Sequence, residues 1–138
     1  VSGASDPRAW IEKAHQDARA ARRLLTDPVE LEPAAYHVQQ AAEKAIKAVL
    51  AAACIKIPRD RGTGHNLAIL AKLISADDGC RPQAQALSDL TPWATAYRYP
   101  ADDPFTAQPP PTRSEVETRL IEVEAFVAAV AAHVILPS

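Results

Sequence analysis

AYHVQQAAEKAIKAVL, residues 35–50, decides the fold. Ala35, Val38, Ala42, Ala45 and Val49 recur at three- and four-residue steps, widened by Ile46 and Leu50, which is the spacing of one helix face. The small alanines allow a neighbouring helix to approach closely. At ~100° per residue, Tyr36, His37, Gln40, Lys44 and Lys47 gather on the opposite side, with Gln39 and Glu43 at the border. Glu43 stands one turn before Lys47, a helix-stabilising order of charges. Pro33 is expected to open this helix and Ala53 to close it.

Helical patterning continues on both sides. Upstream, Asp6 is a fitting N-cap with Pro7 at the first helical position. A helix follows to Leu25, with Trp10, Ile11, Ala14, Ala18, Ala21, Leu24 and Leu25 on its apolar face. Arg19, Arg22 and Arg23 sit near its C-terminal end, where cations suit the helix dipole. Downstream, KIPRDRGTG (56–64) is a polar, basic loop. A short helix is expected over 66–75, with His65 at its start, then a turn at Asp77-Asp78-Gly79. A further helix is expected over 82–97, interrupted by Pro92. Residues 99–111 carry five prolines and read as a loop. Ser114 and Glu117 have the spacing of a capping box. The closing helix carries Val116, Leu120, Val123, Val127, Val130 and Val134 on one face.

These elements predict an all-α protein, an antiparallel up-and-down bundle of four main helices plus one short helix, in a single domain over 1–138. Composition agrees, since Ala and Leu dominate the 48% of hydrophobic residues. No apolar run approaches the roughly 18 residues that a membrane span needs. The net charge of −2 gives no global attraction for nucleic acid. Cys54 and Cys80 form no CxxC and have no His at metal-ligand spacing, so no metal or cofactor is expected. The opening residues have no basic-plus-apolar leader pattern. The expected location is cytoplasmic, with reduced thiols.

Three pieces of the chain, AYHVQQAAEKAIKAVLAA (35–52), GHNLAILAKL (64–73) and AYRYPAD (96–102), together resemble the HEPN domain, the higher eukaryotes and prokaryotes nucleotide-binding domain. The first piece is the most specific, because a helix needs no His-x-Gln-Gln-x-x-Glu-Lys to fold. The resemblance implies an up-and-down bundle that commonly dimerises. It also implies a frequent partner, a minimal nucleotidyltransferase, in toxin–antitoxin modules. Many members are metal-independent ribonucleases with an Arg-x(4–6)-His motif near the start of a late helix, and others lack it. After Arg98, the positions that would hold His are Asp103, Pro104 and Phe105. The spacing does occur at Arg8–His15 and Arg59–His65, in the wrong part of the bundle, and about one such hit is expected by chance.

The leading expectation is therefore a non-catalytic HEPN-type module, without catalytic residues of its own. It would bind a nucleotide, an RNA or a nucleotidyltransferase. The alternatives are a ribonuclease with a divergent active site and a ligand-free dimerisation scaffold. Candidate ligand-binding residues are His37, Gln40, Lys44, Lys47, His65, Tyr97, Arg98 and Tyr99. Lysine offers a point charge to phosphate, and the glutamine amide offers donor and acceptor to a base edge. Histidine titrates near neutrality, and tyrosine stacks on bases. Pro100 favours an extended backbone at Tyr99, which would let Arg98 face a groove. A homodimer is the expected assembly.

Overall fold

A computed structural model of the chain describes residues 6–60, 62–97 and 109–135. Among them every regular element is helical: α1 (Pro7–Leu24), α2 (Leu31–Ala52), α3 (Leu67–Leu73), α4 (Arg81–Ala86), a 3₁₀ helix (Ser88–Ala94) and α5 (Arg113–Ile135). The expected all-α bundle is present. No described helix is long and apolar enough to cross a membrane.

The centre is α2. It shares its largest interface with α1, and α5 packs across both, while α3 and the 3₁₀ helix cover its remaining side. Ala14, Ala18 and Ala21 of α1 are buried, as are Ala34, Ala35, Ala41, Ala42, Ala45 and Ala48 of α2. Small side chains on both faces allow the two helices to approach closely. Bulk comes from Phe126 and Leu120 of α5, Leu67 and Leu70 of α3, and Ile46 and Leu50 of α2 itself, all fully buried.

Local signals set most of the helix ends. Asp6 caps α1 as expected, its Oδ1 accepting from the Arg8 amide at 3.0 Å, with Pro7 in the first turn. The start of α2 is Leu31, two residues before Pro33, which stands in the first turn, where amides have no intrahelical acceptor to lose. Its end is a Schellman motif. Ile55 N donates to Leu50 O at 2.9 Å and Cys54 N to Ala51 O at 3.1 Å. Cys54 takes the left-handed position with φ of 57°.

Two expectations are corrected. The helix expected over 82–97 divides into α4 and the 3₁₀ helix, with the break at Leu87. Pro92 has no N–H to give to the carbonyl of Ser88. That carbonyl accepts from the Thr91 hydroxyl instead, at 2.9 Å, and the same hydroxyl accepts from the Leu67 amide at 3.1 Å. The proline-bearing segment is thereby tied to α3. The second correction concerns α5. Its capping box is Thr112 with Glu115, not Ser114 with Glu117. Glu115 N donates to Thr112 Oγ1 at 3.1 Å, and Thr112 N and Oγ1 donate to Glu115 Oε1 at 3.4 and 3.0 Å. Glu117 pairs with Arg113 at 2.8 Å. Thr112→Ala is expected to lower stability by about 1 kcal/mol. Ser114→Ala should stay near zero. Urea denaturation of the two variants checks the assignment, and equal losses would contradict it.

Candidate functional site

The polar residues of α2 form two clusters rather than one exposed face. Near its N-terminal half, Asp17 of α1 lies between two partners. Its Oδ1 is 2.8 Å from Nδ1 of His37, and its Oδ2 accepts from Nζ of Lys44 at 2.5 Å. Asp17 is buried, while His37 and Lys44 are partly exposed. The carboxylate balances the lysine charge locally, so this pair presents little net field to a phosphate.

The second cluster is centred on Glu43. The Gln40 amide donates to Oε1 of Gln39 at 2.6 Å, and Gln39 Nε2 donates to Glu43 Oε1 at 3.3 Å. Lys47 Nζ donates to Glu43 Oε2 at 3.0 Å, and Nδ1 of His65 lies 3.1 Å from both Glu43 oxygens. Lys47 also stands 5.3 Å from the centroid of the Trp10 indole, a cation–π contact. Exposures are 0% for Gln39, 2% for Glu43 and 7% for Lys47. Lys47 therefore lies inside the bundle, not on an exposed side with Lys44. Gln39 and Glu43 are core residues, not border ones.

The loop before α3 places His65 for this contact. Gly64 is buried, and a Cβ there would meet the carbonyl oxygens of Asp60 and Pro58 at 2.9 and 3.0 Å. Steric contact with backbone, rather than an unusual φ, is what calls for glycine. Thr63 bonds the Asp60 side chain, and the hydroxyl bond is the main reason that carboxyl is held below its ordinary range. Asn66, not His65, caps α3, through Oδ1 accepting from Ile69 N at 3.1 Å.

A third feature lies at the N-terminal end of α2. Glu32, Pro33 and Tyr36 face Trp93 and Tyr97 across a cleft of about 290 Å³. The ring of His37 meets that of Tyr36 edge-on, with centroids 5.3 Å apart. The Tyr97 hydroxyl donates to Pro109 O at 2.7 Å. Partial burial pushes the Tyr97 phenol above its usual range, and the nearby Glu115 and Glu32 carboxylates add to the shift. Trp93 also lines a second cleft, of about 400 Å³, that carries Asp89, Glu115 and Glu122 with Arg119. Arg119 is held by Asp89 at 2.5 Å and by Ala86 O at 3.2 Å. The acidic excess makes this larger cleft a poor host for phosphate.

The candidate residues thus separate. His37 and Lys44 share Asp17; Gln40, Lys47 and His65 join through Gln39 and Glu43; Tyr97 lines the aromatic cleft. Arg98 and Tyr99 lie outside the described residues. Asp17, Glu32 and Trp93 were not among the candidates. Asp17 had a signal in the sequence, because a carboxylate sits among Ala14, Ala18 and Ala21 at core spacing. Trp93 and Glu32 had none, since they meet only through the fold.

An all-α bundle with histidine, glutamine, glutamate and lysine bonded along its central helix is the arrangement to be placed among known proteins. A family model for the HEPN domain matches residues 7–133, and the chain belongs to that family, one of nucleotide- and RNA-related domains. No curated protein matches the chain, and no solved structure does.

Proposed function

We propose that this protein is a non-catalytic HEPN module that binds a nucleotide or RNA by stacking a base in the cleft of Tyr36, Trp93 and Tyr97. The observation that supports this reading is the convergence of three aromatic side chains on one recess of about 290 Å³. That volume is at the small end for ligand pockets and suits a base better than a whole nucleotide. Stacking contributes about 1–3 kcal/mol per base and tolerates any base. The Glu32 carboxylate at the rim accepts from an exocyclic amine, which favours adenine, guanine or cytosine over uracil. His37 adjoins Tyr36, and Arg98 and Tyr99 follow Tyr97 directly in the chain. These are the groups assigned to sugar and phosphate. Lys44 is secondary in this reading because Asp17 already holds it.

Tryptophan fluorescence provides the test. Trp10→Phe leaves Trp93 as the only indole, and titration with AMP, GMP, CMP, UMP and short RNA should quench it. Tyr36→Ala and Trp93→Ala, the latter measured by calorimetry, should each weaken binding about tenfold or more. No quenching and no heat with any of these ligands would overturn the reading. Chelator-resistant cleavage of labelled RNA that vanishes in His37→Ala would favour the ribonuclease alternative. Capture of a minimal nucleotidyltransferase by nucleotide-blind protein would favour a toxin–antitoxin-type partner role.

We further propose that two copies pair through α5. Ile121 is 60% exposed, and Ala125, Ala128 and Ala132 continue the same exposed stripe. An α-helix apolar on its outer as well as its inner side calls for a second cover. Light scattering should report twice the chain mass, and Ala128→Glu should halve it. A wild-type monomer at tens of micromolar would refute pairing.

A further inference from the structure

We infer that Asp78, Cys80 and His133 form a binding site for a thiophilic divalent cation, zinc being the best fit, that fastens the last turn of α5 to the turn before α4. One potential ligand atom from each residue lies within 4.8 Å of the other two. The residues come from opposite ends of the second half of the chain. No spacing along the sequence reveals the set.

The spacing between the imidazole and the carboxylate is wider than that of a hydrogen-bonded pair. Nε2 of His133 and Oδ2 of Asp78 are 3.8 Å apart, too far for a hydrogen bond. A tetrahedral zinc with Zn–N and Zn–O near 2.0–2.1 Å sets its ligands about 3.3 Å apart, so the gap needs to close by only about half an ångström. His133 is free to make that adjustment, since its side chain is 54% exposed. Asp78 is already held. Its Oδ1 accepts from the Cys80 amide at 2.9 Å, which fixes the carboxylate and leaves Oδ2 facing His133. Cys80 is 6% exposed, so the sulfur is on the shielded side of the site.

The donor set selects the ion. One sulfur, one imidazole nitrogen and one carboxylate oxygen suit zinc or cobalt, whereas magnesium and calcium take oxygen ligands. Three protein ligands leave the fourth position open to water or to an outside ligand.

Cobalt(II) is the probe. The full chain carrying Cys54→Ser is stripped with chelator and titrated with Co²⁺. A near-ultraviolet sulfur-to-cobalt charge-transfer band and strong visible bands of tetrahedral Co²⁺ should appear at one equivalent. Zn²⁺ should then displace the colour stoichiometrically. Cys80→Ser should abolish the charge-transfer band. His133→Ala, an exposed change that leaves the core intact, should weaken Co²⁺ binding at least tenfold. Absence of the band in the Cys54→Ser chain overturns the site. So does a band of equal affinity in His133→Ala, or one that needs Cys54.

Discussion

Glu43→Ala should destabilise the protein by about 3–5 kcal/mol in urea unfolding. Glu43 is 2% exposed and is, among the described residues, the carboxylate that bonds Lys47, which is itself 7% exposed. Removing the carboxylate leaves that ammonium buried against Trp10 with its charge unmatched. A buried ion is costly chiefly when its partner is lost, because the desolvation is retained and the attraction is not. The same substitution removes the acceptor of the Gln39 amide and of His65. Glu43→Gln keeps the shape and an acceptor oxygen and should lose less. The control is Lys47→Met in the Glu43→Ala background, which removes the orphaned charge and should recover part of the loss. A loss below about 1 kcal/mol in the single variant would mean that water reaches Lys47, contrary to its burial. A domain of this size has a total stability of about 5–15 kcal/mol, so Glu43→Ala should also leave a measurable unfolded fraction on warming.

Phe126→Ala should cost a similar amount, about 3–5 kcal/mol, for a different reason. Phe126 is fully buried and is the largest side chain in that state among the described residues. It stands on α5, which packs on both α1 and α2, and the buried residues of those helices include many alanines beside Ile46 and Leu50. Alanine side chains have no rotamers with which to move into a void. The cavity would persist, and residual cavity volume is what raises the cost of a large-to-small change. Phe126→Leu leaves a smaller void and should lose less than half as much. Chemical denaturation of both variants checks the ratio. Equal small losses would show that the bundle collapses onto the site.

The two changes probe parts of the molecule that differ in how readable they are from sequence. Phe126 lies in the closing helix, whose apolar period is explicit. Phe126 is not among the residues named on the face expected of that helix, yet it stands three residues after Val123 and four before Val130, so its burial fits the same local spacing. Glu43 and Lys47 look in sequence like a solvated i, i+4 pair. Nothing local distinguishes a surface pair from a buried one. Burial came from α1 carrying Trp10 onto the pair and from the Gly64–His65 loop approaching Glu43 from the other side. Likewise the HEPN resemblance was carried by His37, Gln39, Gln40, Glu43 and Lys44, and the fold shows these bonded to one another or to Asp17.

By itself, the sequence determined the helical class, the apolar faces of α1 and α5, the Asp6–Pro7 start and the family. All of these rest on period, caps and short motifs, which act within a few residues. Only the tertiary structure decided that α2 is enclosed, that Leu87 is where the 82–97 segment breaks, and that Thr112 and not Ser114 caps α5. It alone brought Trp93 to Tyr36 and His133 to Cys80. Those outcomes depend on which faces meet. That is set by the summed packing of all the helices against one another, which no short window of sequence contains.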